Sequence, residues 1–570
     1  MRRSSRNLLV ATLAGALSGW GCGTGAGGGG TGTGGTSASG GSNAQGGTSG
    51  AGGAGSGGTS ASGGNGSSGG ATGAGGSVTG SGGRGGSGAG GSGTGGSGSG
   101  GSATGGSSAG GAGGSGAGGT GTGGSGTGGG GAGGAGKGGS GTGGAATGGS
   151  GGASSTCGGG TVASGDVTID VGSPLQTMDG FGISNAFQGT AITDATADQF
   201  FDPNKGIGLS IFRLGIDSTG ASLGPIGDAQ KAAARGAIVW ASPWTPPAGC
   251  KSNNSLTNGG TLNTTNNCYA SWATTLAGFV ATAKQSGVTV MGISAQNEPD
   301  NTTPYDSCIF SNDQMVAFIK VLGPKLKALS PPVKLLAPEA TRWEDLWGGT
   351  PNKGSYSYGT AILADSTAAG QVDILATHQY ETQDVMAPPA GVSKPIWETE
   401  MSGVMGYPEA GPSSDIADGI VWAGWIYDAI TTGQATAWHA WWMSSLNADN
   451  EGLLLMGGGS TKRFYTVGNY SKFIRPGYRR VTVSGTPPSG VKLTAYQNPA
   501  DGTIVVVAIN GGTSAVALPI FLSGGAPCSM TPWVTTSSDN LASKPAVSVS
   551  GSRLAPMLAA QSVTTLVGKP

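Results

Sequence analysis

The chain is expected to fold as an α/β protein. It should form a (β/α)8 TIM barrel with a side-attached antiparallel β-sandwich, preceded by a disordered Gly/Ser/Thr-rich linker. Three observations lead there. Composition breaks near residue 160, because most of the 122 glycines lie before it. Eight strand-like runs follow, most of them continuously apolar, as parallel strands covered on both faces are. After about Val467 the pattern turns to short alternating runs and turn signals, which read as an antiparallel domain.

The first segment, 1–22, looks like an export signal. Arg2, Arg3 and Arg6 precede a short apolar run, Leu8 to Leu17, and then Cys22. That run is too short to span a bilayer. Cys22 resembles the lipidated cysteine of bacterial lipoproteins and offers a lipid anchor. Ordinary cleavage and release is the alternative. Residues 23–160 carry only Arg84 and Lys137 as charges and lack the apolar side chains needed for a core. As a flexible coil of ~138 residues this segment spans roughly 65 Å. Without Pro or a strict three-residue period it is not collagen-like. Residues 161–177 should supply a strand to the side domain, 178–466 the barrel and 467–570 the sandwich.

The eight runs are Gly180–Ala186, Leu209–Ile216, Ala237–Trp244, Val288–Asn297, Val333–Ala340, Ile374–Tyr380, Pro395–Glu400 and Ala437–Trp442. Helical periodicity fills Tyr269–Gln285, Asn312–Leu329 and Asp415–Thr432, the second opened by a capping box at Ser311 and Gln314. In the last domain Val491–Tyr496 alternates, Asp501-Gly502 turns, Thr503–Ile509 is a strand and Asn510-Gly511-Gly512 turns again.

A net charge of -1 and the lack of a basic patch argue against a nucleic-acid partner. The 6 cysteines, behind an export signal, permit disulfides. Cys250 and Cys268 bracket a polar loop and form the favoured pair. Cys157 with Cys528 is a second candidate. Cys308 is then free, or the partner of Cys22. Neither His378 nor His439 sits beside a cysteine motif, so no zinc-like spacing exists and no metal or other cofactor is expected.

Two carboxylates carry the chemistry. Glu298 follows the apolar run Val288–Ile293 and is closed by Pro299. Glu400 ends the run Pro395–Glu400, and Glu398 shares its strand parity and competes with it. Glycosidic cleavage needs one carboxyl to protonate the leaving oxygen and another to attack or to activate water, and barrel strand ends share one mouth.

Several segments together resemble glycoside hydrolase family 30, most closely its bacterial xylanase branch, from about Val167 to the C-terminus. They are Asp179-Gly180-Phe181-Gly182, Leu209-Ser210-Ile211-Phe212-Arg213, Ser242 to Pro247, Gln296-Asn297-Glu298-Pro299-Asp300, Trp397-Glu398-Thr399-Glu400, Tyr470 to Tyr478 and Ala560 to Thr565. The resemblance implies a retaining glycosidase with Glu298 as acid/base and Glu400, rather than Glu398, as nucleophile. Asn297 should then grip the sugar 2-hydroxyl. Arg213, inside an apolar strand, needs a buried anion, and the nucleophile is the natural one. Tyr380 ends the sixth strand and is placed to donate to Glu400. His378, two residues back on the same face, joins the site or is a satisfied core histidine. Trp244 and Trp442 end the third and eighth strands and offer stacking surfaces, with core packing as the alternative. Trp441 is expected to point away from the site, and Trp422 and Trp425 to pack on a helix.

One departure bears on substrate. Branch members that require glucuronic acid side chains carry an Arg, and soon after it a Tyr, in the loop after the eighth strand. Here Met443 to Glu451 has neither and is acidic. The expectation is an exported, monomeric endo-β-1,4-xylanase, acting on a β-linked plant polysaccharide such as xylan and not dependent on glucuronate. The alternatives are a β-1,6-glucanase, β-1,6-galactanase or β-glucosidase of the same family, or an inactive polysaccharide-binding surface lipoprotein.

Overall fold

The computed structural model describes residues 157–348, 356–380, 385–403, 415–445, 451–456 and 459–570. The export segment, Cys22, the Gly-rich stretch to residue 156 and the middle of the loop after the eighth barrel strand lie outside the described residues.

The first strand, β1 (Val167–Thr177), precedes the barrel. The barrel strands are β2 (Gly180–Ser184), β3 (Ile211–Ile216), β4 (Ile238–Pro243), β5 (Val290–Ser294), β6 (Lys334–Ala340), β7 (Ile374–Thr377), β8 (Ile396–Glu398) and β9 (Ala437–Ser445). Each pairs in parallel with the next, and β9 pairs with β2, which closes the ring. A further strand, β10 (Gly452–Leu455), adds in parallel to β9. All eight expected runs became strands, seven of them trimmed at their ends and the eighth extended from Trp442 to Ser445. Their apolar continuity follows from burial on both faces: Ile211, Trp240, Leu336 and Trp397 fill the inside, while Phe212, Val239, Leu335 and Trp438 meet the helices. Gly182 permits the closure between β2 and β9, because a Cβ there would lie 2.1 Å from the His439 ring.

Helices α1 (Asp194–Phe201), α2 (Ile226–Ala233), α3 (Cys268–Gln285), α4 (Asn312–Lys327), α5 (Trp343–Trp347), α6 (Tyr358–Ala364), α7 (Ser366–Gln371), α8 (Ile416–Thr431) and α9 (Lys462–Ser471) lie outside or after the strands. The capping box is present: the Gln314 amide donates to Ser311 Oγ at 3.1 Å and the Ser311 amide to Gln314 Oε1 at 2.9 Å. Trp422 and Trp425 pack on α8 against each other, and Trp422 also meets Trp438.

The remaining strands, beginning with β11 (Arg479–Ser484), β12 (Val491–Gln497) and β13 (Ile504–Asn510), build the sandwich. β1 enters it, antiparallel to β11 and parallel to Ile520–Ser523, and buries Val167 and Ile169 in its core. α9 joins the two domains and runs through the 466/467 boundary drawn from the sequence. One face of this helix packs on each domain. Arg463 pairs with Asp418 on α8 through two hydrogen bonds, of 2.8 and 2.6 Å. Asn469 donates to Trp533 O and Thr565 Oγ1 and accepts from Thr535 Oγ1 in the sandwich. Disulfides join Cys157 to Cys528 and Cys250 to Cys268, and Cys308 is a buried free thiol.

Candidate active site at the barrel mouth

The C-terminal ends of the strands gather most of the proposed residues into one charged layer. Glu298 sits just past β5 and Glu400 just past β8, each only 6 % exposed. Oxygen atoms of the two carboxylates and a ring nitrogen of His378 lie within 4.8 Å of one another. Glu298 Oε2 accepts from Asn301 Nδ2 at 2.9 Å, and Oε1 lies 3.3 Å from His378 Nδ1. Glu400 accepts from Arg213 Nη1 and from the Tyr380 hydroxyl, the latter at 2.9 Å.

Arg213 is the hub of this layer. It projects from β3 with no exposure at all. Its Nη2 donates to Glu339 Oε1 at 2.9 Å and to Asn297 Oδ1 at 2.6 Å. A fully buried guanidinium is tolerable only among such partners. Fixing Asn297 Oδ1 on Arg213 turns its amide NH2 away from the guanidinium, available to a ligand.

Glu339 is the residue that sequence reasoning missed. It follows Pro338 on β6, is fully buried, and accepts from Arg213, Ser242 and Ser294. The signal was available: a charged residue in an apolar strand, the same anomaly that marked Arg213. Glu298 and Glu339 both take left-handed backbone angles, φ 44° and 62°, uncommon for residues with a Cβ. The two turns are locked together by the Glu298 amide donating to Glu339 O at 3.1 Å.

His378 is fully buried between three carboxylates, with Nε2 3.8 Å from Glu339 and 3.9 Å from Glu400. Burial disfavours its charge, but Glu400, Glu298 and Glu339 outweigh that and raise it to about 10. Burial also pushes Glu400 above the usual carboxyl range, against the pull of His378 and Arg213. Glu339 is desolvated too, yet the Arg213 charge and then His378 hold it below that range. Glu298, His378 and Glu400 bring ligand-type atoms together beside the Arg213 guanidinium, which pairs with both Glu400 and Glu339.

Glu398 and Glu400 separate cleanly. Glu398 Oε1 accepts from the Glu400 amide at 3.1 Å and Oε2 from the His439 amide at 2.9 Å. It is turned to the backbone of the barrel wall, while Glu400 faces the mouth.

The chain compares closely with known proteins. Family profiles match residues 191–394 as "Glycosyl hydrolase family 30 TIM-barrel domain" and residues 477–566 as "Glycosyl hydrolase family 30 beta sandwich domain". Glucuronoxylanase XynC of Bacillus subtilis strain 168 is 30% identical over 423 residues, spanning 71% of this chain and 92% of that protein. The chain belongs to glycoside hydrolase family 30. The crystal structure of the family 30 subfamily 8 xylanase Xyn30A from Clostridium acetobutylicum is 31% identical, with a TM-score of 0.61 over 71% of this chain and all of that one. Lysosomal acid glucosylceramidase of mouse is 25% identical over 337 residues, 55% of this chain and 64% of that protein.

Within this family 30 barrel the aromatic residues differ from expectation. Trp442 is buried and donates Nε1–H to Ala186 O at 2.7 Å. It is Trp441 that keeps partial exposure and lies 5.8 Å from the Arg213 guanidinium carbon. Alternation explains the reversal. Ala437 lies inside the barrel, so His439 and Trp441 share the inward parity, and the β2–β9 register skips Trp441 at a bulge. The two rings consequently stack, 5.9 Å apart and 13° from parallel. Trp244 is only 2 % exposed, enclosed by Arg213 at 4.8 Å, Phe187 at 5.4 Å and Trp441 at 5.9 Å. It backs the site wall and offers little face to solvent.

Proposed function

We propose that the protein is an exported endo-β-1,4-xylanase working by double displacement with retained configuration. The observation that carries this is the close approach of Glu298 and Glu400 across the barrel mouth. Retaining glycosidases hold their carboxyls about 5–5.5 Å apart, whereas inverting enzymes need about 6.5–9.5 Å to admit a water. The similarity to proteins named as xylanases, at 30–31% identity, supports a xylan backbone as substrate.

In the first step a Glu400 oxygen bonds to the anomeric carbon. The bond to the leaving oxygen breaks, and Glu298 supplies that oxygen's proton. In the second step Glu298 takes a proton from water, and the hydroxide attacks the anomeric carbon and frees Glu400. Arg213 and Tyr380 hold Glu400 in place and support its negative charge as it leaves. Asn297, its carbonyl anchored on Arg213, presents NH2 to the sugar 2-hydroxyl, a contact that strengthens in the transition state.

Independence from glucuronate rests on the loop after β9. Met443 to Glu451 supplies no guanidinium to pair with a sugar acid. Burial first, then Glu298 and Glu400, push the Tyr305 and Tyr380 hydroxyls up, and Glu451 adds to this in the same direction. The same gap is the one specific observation favouring another β-linked glycan. Export is supported by the signal-like N-terminus and the two disulfides. Cys22 serves as the anchor, with the Gly-rich arm giving the monomeric catalytic domain reach. A Cys22→Ala variant should move activity from the membrane fraction to the medium.

Mass analysis of products decides the substrate. Oligomers are expected from linear xylan and from glucuronate-decorated xylan alike, at comparable rates. Strict need for the decoration would remove the independence. Cleavage of β-1,6-glucan with no release from xylan would overturn the xylanase reading.

A further inference from the structure

A second pair of carboxyls, which the double displacement does not use, sits beside the acid/base loop. Asp300 follows Glu298 by two residues, after β5, and Asp345 lies on α5 with no exposed surface. Two rungs join the turns after β5 and β6. Besides the bond from the Glu298 amide to Glu339 O, Thr341 donates to the Asp300 carboxyl, its amide at 3.0 Å and its hydroxyl at 2.9 Å. Asp345 Oδ2 accepts from Arg342 Nε at 2.7 Å, whereas its buried Oδ1 has no donor among the described residues. Asp300 and Asp345 are nonetheless in hydrogen-bonding contact, and a bond between two carboxyls requires a proton on one of them. The neighbours decide which. Arg342 balances a charge on Asp345, while the donors to Asp300 are the neutral amide and hydroxyl of Thr341. Burial, then the Asp345 charge and hydrogen bond, push Asp300 well above the usual carboxylate range; the Thr341 amide opposes this and Glu298 adds to it. Tyr356 and Tyr358 face the pair from the start of α6, their hydroxyls pushed up by burial first and then by Asp300. The Tyr358 hydroxyl also donates to Pro299 O at 3.0 Å, which fixes the residue between Glu298 and Asp300.

We propose that Asp300 and Asp345 share a single proton and act as positioning residues for the acid/base Glu298, so that loss of this proton sets the alkaline end of the working range. The inference rests on the glycosidase reading above and adds a proton-dependent support to it. With the proton in place, Asp300 donates to Asp345, accepts from Thr341 and ties the Glu298 turn to α5. Without it, two carboxylates in contact repel. The turn is then pushed away from α5, and Glu298 moves with it relative to Glu400.

The test uses the full chain and two variants, Asp300→Asn and Asp345→Asn. An amide at 300 can donate to Asp345 and accept from Thr341, so it copies the protonated carboxyl but cannot ionise. Asp300 is raised above its unfolded value, so its contribution to stability is complete below about pH 4 and is lost as pH climbs. In chemical denaturation across pH, the unfolding constant of the wild type should therefore grow relative to that of Asp300→Asn, approaching roughly ten-fold per pH unit above about pH 4. A flat ratio over that range means an ionised Asp300 and overturns the inference. Asp345→Asn, which also leaves a single carboxyl, should remove the same slope, and it carries the test if Asp300→Asn does not fold. On linear xylo-oligosaccharides, with each protein scaled to its own maximum, the alkaline limb of kcat/KM should lie at higher pH in Asp300→Asn than in the wild type. An unmoved limb overturns the positioning of Glu298. Failure of the wild-type protein to cut xylan is a separate result that overturns the xylanase reading; the limb is then read on the glycan it does cut, and denaturation needs no substrate.

Discussion

The barrel's rim and floor hold the protein's two histidines in opposite states, although neither has any exposed surface. At the rim His378 lies among Glu298, Glu339 and Glu400, and their charges raise it to about 10. On the floor His439 meets Trp240 and Trp397, and burial lowers it to about 3. The floor geometry agrees: Nδ1–H donates to Glu398 O at 2.7 Å, and Nε2 accepts from Trp240 Nε1 at 3.3 Å. Equal burial therefore produces a charged group in one layer and a neutral one in the next. The difference is which neighbours the strand ends supply, carboxylates above and indoles below.

The sharpest test separates Glu400 from Glu398, two residues down the same strand. Glu400→Gln should cut hydrolysis roughly 10⁴-fold or more while sparing oligosaccharide binding. Glu398→Gln should leave activity within about ten-fold and lower the melting temperature instead. The reverse result on steady-state rates would exchange the two roles.

Within the rim, Glu339→Gln removes one partner of a fully buried guanidinium. Breaking such a pair costs about 3–5 kcal/mol. Chemical denaturation should show that loss, together with lower kcat through the displaced Arg213. Near-wild-type stability would mean that Glu400 alone suffices to hold the cation.

The pH dependence of stability should have two sides. His378 is raised above its unfolded value, so its contribution is complete below about pH 6.5 and is lost as pH climbs toward about 10. His439 is depressed, so the unfolded chain takes up a proton that the folded one refuses. Stability then falls as pH drops from about 6.5 toward about 3. Each contributes a slope approaching about 1.4 kcal/mol per pH unit. His378→Asn should flatten the alkaline side and His439→Asn part of the acid side, in unfolding curves taken across pH. An alkaline limb unaltered in His378→Asn would rule out the imidazolium.

The smallest effect belongs to the floor. Trp240→Phe keeps the ring but strands His439 Nε2 without a donor, at a cost of about 1–3 kcal/mol. A neutral result would mean that water or a ring rotation replaces the lost bond.

The fold was largely legible in the chain because its signals are local. Eight apolar runs, the capping box of α4 and the turn signals of the sandwich each need only a few neighbouring residues. The site was legible in part. Glu298, Glu400, Asn297, His378 and Tyr380, near strand ends, and Arg213, inside β3, meet at one mouth. Glu339 escaped notice although it breaks an apolar strand as Arg213 does. Trp442 took the core-packing alternative, and Trp441 was expected to point away because the inward parity of β9 and its bulge against β2 are set by pairing with a distant strand.

Sequence by itself determined the alternation of strand and helix, the position of each carboxylate at a strand end, and the charge left unpaired inside β3. Period and residue type, which write those features, act over a handful of positions. Only the tertiary structure decided which charges neutralise one another, which of two buried histidines carries a proton, and which aromatic rings still face the cleft. Those outcomes depend on side chains brought together across the barrel. Their energies turn on distances of a few ångströms and on the loss of water, which spacing along the chain does not encode.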